Sequence, residues 1–352
     1  MADAAIEVPA PRTESVRREL YALGLVDRGR RFEKRAGRVL IPVTQRPTID
    51  LARFGARYLR VPGLAPRPRS RNPREALARA LRDAGVPPGV GPSHWEKIGD
   101  VVVLTLPHAA EPFGKAIGEA CGHVLGARTV VEDVAGISGR LRIPDIRVLW
   151  GDGTDTVHVE GGIRYRLDVA RVMFSSGNIA ERMSIAARVS RGAVVVDLFA
   201  GIGYFSVPIA IRANPERVYA CELNPVAHGY LLENIRLNRA WSVTPLLGDC
   251  KETAPSGVAD WVLMGHFDSE SRFETAFRAL RDEGTVVHHC LTPSDRYPDG
   301  PRERVRAAAR AWGVEVLSMD TRIVKTYAPG IDHAIVEARV RIPPKGISRL
   351  GD

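Results

Sequence analysis

Short runs of hydrophobic residues recur through the second half of the chain, separated by stretches with helical spacing of apolar positions. Runs rich in valine, isoleucine and leucine that end at turn residues predict strands buried on both faces of a sheet. They lie at 194–197, 218–222, 243–247, 261–264, 285–288, 314–320 and 334–342. Strands that alternate with helices in this way predict an α/β fold over 166–345, with a mostly parallel sheet of seven strands.

The first residues follow a different pattern. Residues 13–26 have the apolar spacing of a short amphipathic helix, with Thr13 as the predicted N-cap. Residues 31–43 predict a small hairpin that turns at Gly37. These elements predict a small N-terminal head over residues 1–50.

A second small domain is predicted over residues 91–165. Its pattern suggests α+β architecture, because strand-like and helix-like segments both occur in it. Strands are predicted within 95–106, at 129–133 and within 136–144, a helix at 111–125, and further strands within 146–171 around a turn at 151–153.

Residues 51–90 join these two domains and are dominated over 60–74 by proline and arginine. No packed core is expected there, so the segment is predicted to be a basic linker or loop.

Residues 53–82 hold nine Arg and one acid. Residues 1–100 hold 20 basic and 11 acidic residues, a net +9, whereas residues 101–352 hold 30 of each. This asymmetry indicates a module that meets a polyanion, attached to a neutral module with another task; the alternative is an arginine-rich composition spread over solvated faces.

Several classes of protein are disfavoured by the sequence. No apolar run approaches the length of a membrane span, and the first residues lack the apolar core of a signal peptide. We therefore expect a cytoplasmic protein. The cysteines are far apart and form no paired motif, which argues against disulfides and against a metal site; they are Cys121, Cys221, Cys250 and Cys290.

The predicted strand at 194–197 ends at Asp197 and runs into a turn with Gly201 and Gly203. Glycines there let the backbone turn tightly and approach a ligand closely. A dinucleotide-binding loop would have a third glycine where this chain has Ser206. Acids also follow the next two strands, at Glu222 and Asp249. Open α/β sheets bind ligands at this edge.

The Asp-x-Phe-x-Gly-x-Gly pattern over 197–203 resembles the first motif of Rossmann-like class I S-adenosylmethionine-dependent enzymes. The resemblance implies that this loop wraps the methionine part of the cofactor, that Glu222 accepts from the ribose hydroxyls and that Asp249 accepts from the adenine amino group. The cofactor-binding residues implied in this way are Ser175, Arg182, Asp197, Phe199, Gly201, Gly203, Glu222, Asp249 and Cys250. Arg182 would suit a carboxylate, and the Cys250 thiol is expected to be inert packing.

Four further segments, 168–171, 172–182, 233–238 and 325–330, resemble the family of enzymes that modify position 37 of tRNA. One branch methylates guanine N1. The other, the tRNA wybutosine-synthesising protein 2 family, transfers the 3-amino-3-carboxypropyl group of S-adenosylmethionine to C7 of 4-demethylwyosine. The methylating branch has an Asn-Leu/Pro-Pro motif after its fourth strand, whereas this chain has Met264 and Gly265, as the aminocarboxypropyl branch does.

The resemblance therefore implies a tRNA aminocarboxypropyltransferase that needs no metal. The alternatives are a tRNA guanine-37 N1-methyltransferase and an RNA-binding protein that holds S-adenosylmethionine without catalysis. His266 and His288 are the candidate catalytic residues. His266 has a flat ring that could stack on a base; His288 keeps the place of a family histidine, although a buried, hydrogen-bonded core histidine is an equal alternative.

The partner that the resemblance implies is tRNA, with position 37 in the anticodon loop reaching the cofactor. The head and the arginines of 53–82 would hold the tRNA through its phosphates. No membrane and no obligate protein partner are expected.

Overall fold

The computed structural model describes residues 3–66 and 72–343. The chain divides into two compact units, Met1–Ala76 and Leu77–Asp352. Within the described residues no helix has both the length and the apolar character needed to cross a membrane.

The first unit is a four-stranded antiparallel sheet with one helix. The sheet order is β2-β3-β1-β4. Its elements are β1 (Asp3–Pro9), α1 (Thr13–Ala22), β2 (Glu33–Arg35), β3 (Arg38–Pro42) and β4 (Arg57–Val61), with 3-10 turns at Ala10–Arg12 and Ala52–Phe54. Ile6, Val16, Leu20 and Ile41 form the core between helix and sheet, each fully buried. The predicted hairpin is confirmed, and Gly37 at its turn has a φ of 77°.

Two expectations about this unit are wrong. Thr13 is the first helical residue and not the N-cap, because Arg12 precedes the helix and makes no capping hydrogen bond. The stretch 51–90 is also not a linker. Strand β4 pairs with the unpredicted strand β1, and Leu64 is buried beside it at 1% exposure. The apolar residues scattered among the arginines are enough to dock this stretch on the sheet.

Beyond residue 72 the same stretch is helical, in α2 (Pro73–Asp83). Leu77 of this helix is buried in an apolar cluster of the second unit. Residues 67–71, which hold much of the predicted basic loop, lie outside the described residues.

The second unit begins with a sheet of order β5-β6-β7-β8 and a two-stranded sheet of β9 and β10. Their bounds are β5 (Trp95–Ile98), β6 (Val101–Leu104), α3 (Gly114–Leu125), β7 (Thr129–Ser138), β8 (Ile143–Trp150), β9 (Asp155–Glu160) and β10 (Ile163–Asp168), with a 3-10 helix at His108–Phe113. Helix α3 packs closely on β8 because Gly122 has no side chain. A Cβ there would lie 2.3 Å from the Trp150 ring.

The remaining strands form one seven-stranded sheet of order β13-β12-β11-β14-β15-β17-β16, in which β17 is antiparallel to both neighbours. This confirms the predicted fold class. The strands are β11 (Val194–Asp197), β12 (Arg217–Glu222), β13 (Val243–Leu247), β14 (Ala259–Met264), β15 (Leu280–Pro293), β16 (Glu315–Ala328) and β17 (Ile331–Arg341). The helices are α4 (Ile179–Arg188), α5 (Ser206–Arg212), α6 (Pro225–Asn238), α7 (Cys250–Thr253), α8 (Phe273–Ala279) and α9 (Asp299–Ala311), with 3-10 turns at Ser176–Asn178, Glu270–Arg272 and Ser294–Arg296.

The predicted domains 91–165 and 166–345 form one compact unit. Ile98, Val101 and Val131 of the smaller sheet share an apolar cluster with Val195 of β11. In the large sheet, β11 pairs with β12 on one side and with β14 on the other, so the strand order reverses at β11. A crevice opens at the carboxyl ends of strands at such a reversal.

Candidate active site

A cavity of about 620 Å³ lies at the carboxyl ends of β11, β12, β13 and β14. The tip between β7 and β8 and the segment before α4 also line it, as do residues of β16. Asn224, the residue before α6, ties the tip to the sheet because its side-chain amide donates to the Leu141 carbonyl over 2.8 Å. This size is typical of a pocket for a small organic molecule.

Buried contacts behind the loop after β11 fix its conformation. Asp197 is fully buried and accepts hydrogen bonds from the Ser206 hydroxyl (2.7 Å) and from the Phe199 amide (3.2 Å). Burial raises the pKa of Asp197 to about 6. Gly203 has a φ of 101°, and a Cβ there would lie 2.6 Å from the Val207 side chain.

Neither Asp197 nor Gly203 lines the cavity. Their assignment as cofactor-binding residues stays a prediction, and the structure places them behind the loop that lines the cavity. They hold the loop in place through buried contacts, while Phe199 and Gly201 of the same loop do line the cavity.

Glu222 ends β12 and faces the cavity. One carboxylate oxygen accepts from the Gly201 amide and the other from the Asn224 amide, each over 2.7 Å. Burial raises the pKa of Glu222, and these amide donors counteract part of that rise. A carboxylate has about four acceptor positions, so both oxygens can still accept from a vicinal diol.

Asp249 precedes α7 and caps it, accepting from the Lys251 amide over 3.0 Å. Its other oxygen lies 3.2 Å from an Arg140 nitrogen and 3.3 Å from an Arg272 nitrogen. The Lys251 amide and these two arginines lower the pKa of Asp249. Burial raises the pKa of the neighbouring Cys250 thiol, which supports its interpretation as inert packing.

Arg182 lines the cavity but is already paired. One guanidinium nitrogen donates to both carboxylate oxygens of Glu160, at 2.8 and 2.9 Å, and both side chains are 1% exposed. The other terminal nitrogen donates to the Ser175 carbonyl. The Arg182 Nε is buried and has no hydrogen-bond partner among the described residues, so the place of Arg182 in the cofactor set stays a prediction. Arg182 also fixes the backbone of Ser175, which lines the cavity.

His266 lines the cavity and stacks on Phe199, with ring centroids 5.4 Å apart and planes at 30°. Its Nδ1 accepts from the Asp268 amide over 3.1 Å. Burial lowers the pKa of His266, helped by Arg142 and Arg272. The neutral ring therefore carries its proton on Nε2, where it can donate a hydrogen bond but cannot accept a proton.

His288 is a core residue and does not line the cavity, which corrects its candidacy as a catalytic group. Its Nδ1 is 3.2 Å from the Ser269 hydroxyl, and its ring packs against Phe273. Burial lowers the pKa of His288 to about 4, and Arg304 adds to the effect. The alternative of a buried, hydrogen-bonded histidine describes what the structure shows.

Sequence reasoning missed several charged residues of the cavity wall. Arg140 and Arg142 come from the β7–β8 tip, Arg272 from the turn before α8, and Lys325 from β16. Arg142 adopts a left-handed φ of 55°, which non-glycine residues rarely do. The segment 325–330 that contains Lys325 carries the family resemblance, and that was the available signal. Among the described residues, no group of three potential ligand side chains is placed to hold a metal ion.

Three family profiles match consecutive parts of the chain. The tRNA methyltransferase 5 N-terminal domain matches residues 5–50, the TYW2 N-terminal domain matches 79–154, and the TRM5/TYW2 methyltransferase domain matches 156–317.

Two curated relatives represent the two branches. The chain is 36% identical to the tRNA(Phe) (4-demethylwyosine(37)-C(7)) aminocarboxypropyltransferase of Methanocaldococcus jannaschii, over 70% of this chain and 97% of that protein. It is 32% identical to the tRNA (guanine(37)-N(1))-methyltransferase Trm5b of Pyrococcus abyssi, over 96% of this chain and 98% of that protein.

Solved structures are similar as well. M. jannaschii TYW2 in complex with AdoMet has a TM-score of 0.59 at 33% identity, covering 71% of this chain and 100% of that one. P. horikoshii TYW2 in complex with MeSAdo has a TM-score of 0.65 at 34% identity, covering 77% of this chain and 98% of that one. The chain belongs to the TRM5/TYW2 family, on its tRNA wybutosine-synthesising protein 2 branch.

Proposed function

We propose that this protein transfers the 3-amino-3-carboxypropyl group of S-adenosylmethionine to C7 of 4-demethylwyosine at position 37 of tRNA-Phe, releasing methylthioadenosine. The observation that carries the proposal is the 36% identity to an aminocarboxypropyltransferase over 97% of that enzyme's length. The match of residues 79–154 to the TYW2 N-terminal domain supports the same branch.

The cavity fits S-adenosylmethionine. Its volume suits a ligand of this size, and Glu222 keeps acceptor capacity for a ribose diol beside the left-handed turn at Gly201. Asp249, at the next strand end, offers acceptor oxygens for an adenine amino group. Ser175, Phe199 and Cys250 complete the set that we propose to hold the cofactor.

The bound cofactor supplies an activated sulfonium with three electrophilic carbons, so the carbon that faces the nucleophile is the one transferred. The protein therefore has to orient the cofactor and the target base and to exclude water from them. His266 can donate from Nε2 to a heteroatom of the tricyclic base while its ring stacks on Phe199. Because Nε2 is protonated, His266 is not the base that takes the C7 proton.

We propose that tRNA binding uses charges outside this cavity. Arg53 and Arg57 in the first unit form ion pairs with Glu19 and Glu7, acids that the net charge already counts. The net +9 of residues 1–100, to which the arginines of 67–71 contribute, would neutralise tRNA phosphates. We propose that the enzyme acts in the cytoplasm, on the anticodon loop, without an obligate protein partner.

Mass spectrometry of nucleosides from tRNA-Phe tests the proposal. Purified protein is incubated with S-adenosylmethionine and tRNA that contains either 4-demethylwyosine or unmodified guanosine at position 37. We expect an aminocarboxypropyl gain on 4-demethylwyosine and methylthioadenosine in solution. A methyl gain on guanosine, with S-adenosylhomocysteine in solution, would assign the protein to the methylating activity instead.

A further inference from the structure

The edge of the large sheet opposite the cavity carries a basic surface. Helices α5 and α6 end at this edge, because each returns the chain to the start of the next strand, β12 and β13. The exposed arginines of this edge are Arg164, Arg212, Arg217, Arg236 and Arg239. We call these five residues, together with Trp241, the amino-edge patch. One exposed acid, Glu216, adjoins them, so the patch is strongly positive although residues 101–352 are neutral as a whole.

Hydrogen bonds join the segments that carry the patch. Arg212, at the end of α5, donates over 2.6 Å to a carbonyl in the turn before β10. The Asn238 side chain, at the end of α6, accepts from the Arg164 amide over 2.9 Å and donates to the Arg164 carbonyl over 2.6 Å. Arg217, at the start of β12, donates to the Thr244 hydroxyl of β13 over 3.1 Å. The patch is therefore one continuous surface.

Trp241 lies in the turn between α6 and β13 with its side chain in solvent. It is 67% exposed, although tryptophan is a largely buried residue in folded proteins. It comes two residues after Arg239, which ends α6 with a left-handed φ of 57°. The side chains of Arg164, Arg236 and Arg239 make no hydrogen bond or ion pair with the part of the chain that the structure describes. The indole ring thus lies beside guanidinium groups that have donors available.

We propose that the amino-edge patch is a second contact surface for the substrate tRNA, where Trp241 stacks on an unpaired base and the arginines bind flanking phosphates. The identity of the RNA rests on the proposed function. The positive charge of the patch favours a polyanionic partner. An exposed aromatic ring among these charges favours a partner with accessible bases, because base stacking on aromatic rings beside a basic surface is how single-stranded RNA is held.

The distance between the two edges allows one RNA to reach both. Strand β12 has 6 residues. At a rise of about 3.3 Å per residue, the edges of the sheet lie about 20 Å apart. A stacked nucleic-acid strand advances about 3.4 Å per nucleotide, so about six nucleotides cover that distance. A tRNA that places one base in the cavity can therefore also place a base on Trp241.

Equilibrium binding of labelled tRNA-Phe, followed by fluorescence anisotropy, tests the stacking contact. Trp241→Ala should weaken tRNA binding about ten- to a hundredfold, as loss of one base stacked on an aromatic ring would. Trp241→Phe keeps a ring and should recover most of the affinity. Both variants should bind S-adenosylmethionine like the native protein, since the cavity lies at the other edge of the sheet.

The salt dependence of the same binding separates stacking from charge. The double variant Arg236→Gln with Arg239→Asn removes two charges, and asparagine tolerates the left-handed backbone at 239. The slope of log affinity against log salt should become shallower by about 1.4, because each phosphate contact to a single strand contributes about 0.7. Trp241→Ala should leave the slope unchanged. Arg306→Gln removes an exposed charge from α9, outside the patch, and should change neither affinity nor slope.

Native tRNA affinity in Trp241→Ala would overturn the proposal, as would an equal loss in Arg306→Gln. Weaker binding of a short oligouridine with tRNA affinity retained would assign the patch to another RNA and would also overturn it. These constants require no turnover. They therefore decide the proposal whether product analysis finds an aminocarboxypropyl or a methyl group on the tRNA.

Discussion

Replacing Arg182 by methionine should strongly destabilise the second unit, because the guanidinium neutralises a carboxylate that water cannot reach. Arg182 and Glu160 are each 1% exposed and joined by contacts of 2.8 and 2.9 Å. Breaking such a pair from one side costs about 3–5 kcal/mol. Burial already raises the pKa of Glu160, although Arg182 acts to lower it. Without Arg182 the Glu160 carboxylate should therefore take up a proton, which keeps the loss of stability within that range.

Urea unfolding followed by circular dichroism measures this loss in the free energy of unfolding. In a thermal scan followed by the same signal, we expect the midpoint to fall by about 10 °C. Arg188→Met is a matched control, because Arg188 forms ion pairs while 34% exposed and should lose at most about 1 kcal/mol. The double variant Glu160→Leu with Arg182→Met removes both charges and should recover most of the loss. A single variant within about 1 kcal/mol of the native protein, or a double variant no more stable than the single one, would refute the reasoning.

Three further predictions concern the site. Glu222→Gln should weaken S-adenosylmethionine about tenfold by calorimetry, since an amide cannot serve all the donors that the carboxylate accepts, whereas the exposed Glu216→Gln should change nothing. His266→Phe keeps a ring on Phe199 but loses the Nε2 donor, so kcat should fall about tenfold with cofactor affinity retained; an unchanged kcat would contradict that role. The pKa of Asp197 is raised from 3.8 to about 6, so the folded protein holds this proton to higher pH than the unfolded chain, and this group's contribution to stability falls as pH rises from 3.8 to about 6. Denaturant titrations across that pH window should show this fall in the free energy of unfolding of the native protein. The Asp197→Asn variant should lack the fall.

The parallel core was predictable because its signal is local. Val194, Val195 and Val196 are buried on both faces of β11, and such a run has few other solutions. The acids at 222 and 249 could be placed for the same reason, since each follows a predicted strand and strand ends meet at one edge.

The prediction of a linker over 51–90 is wrong because the structure there depends on a distant partner and not on a local signal. Its composition predicts a loop, but β4 exists because β1 offers it a partner more than fifty residues away in sequence. Local propensity contains no information about such a partner.

The sequence by itself determined the fold class, the strand ends that bear acids and, through its motifs, the family branch. Only the tertiary structure decided which of those residues face the cavity. Asp197 and His288 lie beneath or away from it, and Arg182 is engaged by Glu160. Lys325, by contrast, enters the cavity through space left by a glycine on another segment. Burial and charge pairing depend on residues distant along the chain, and the folded chain alone brings those residues together.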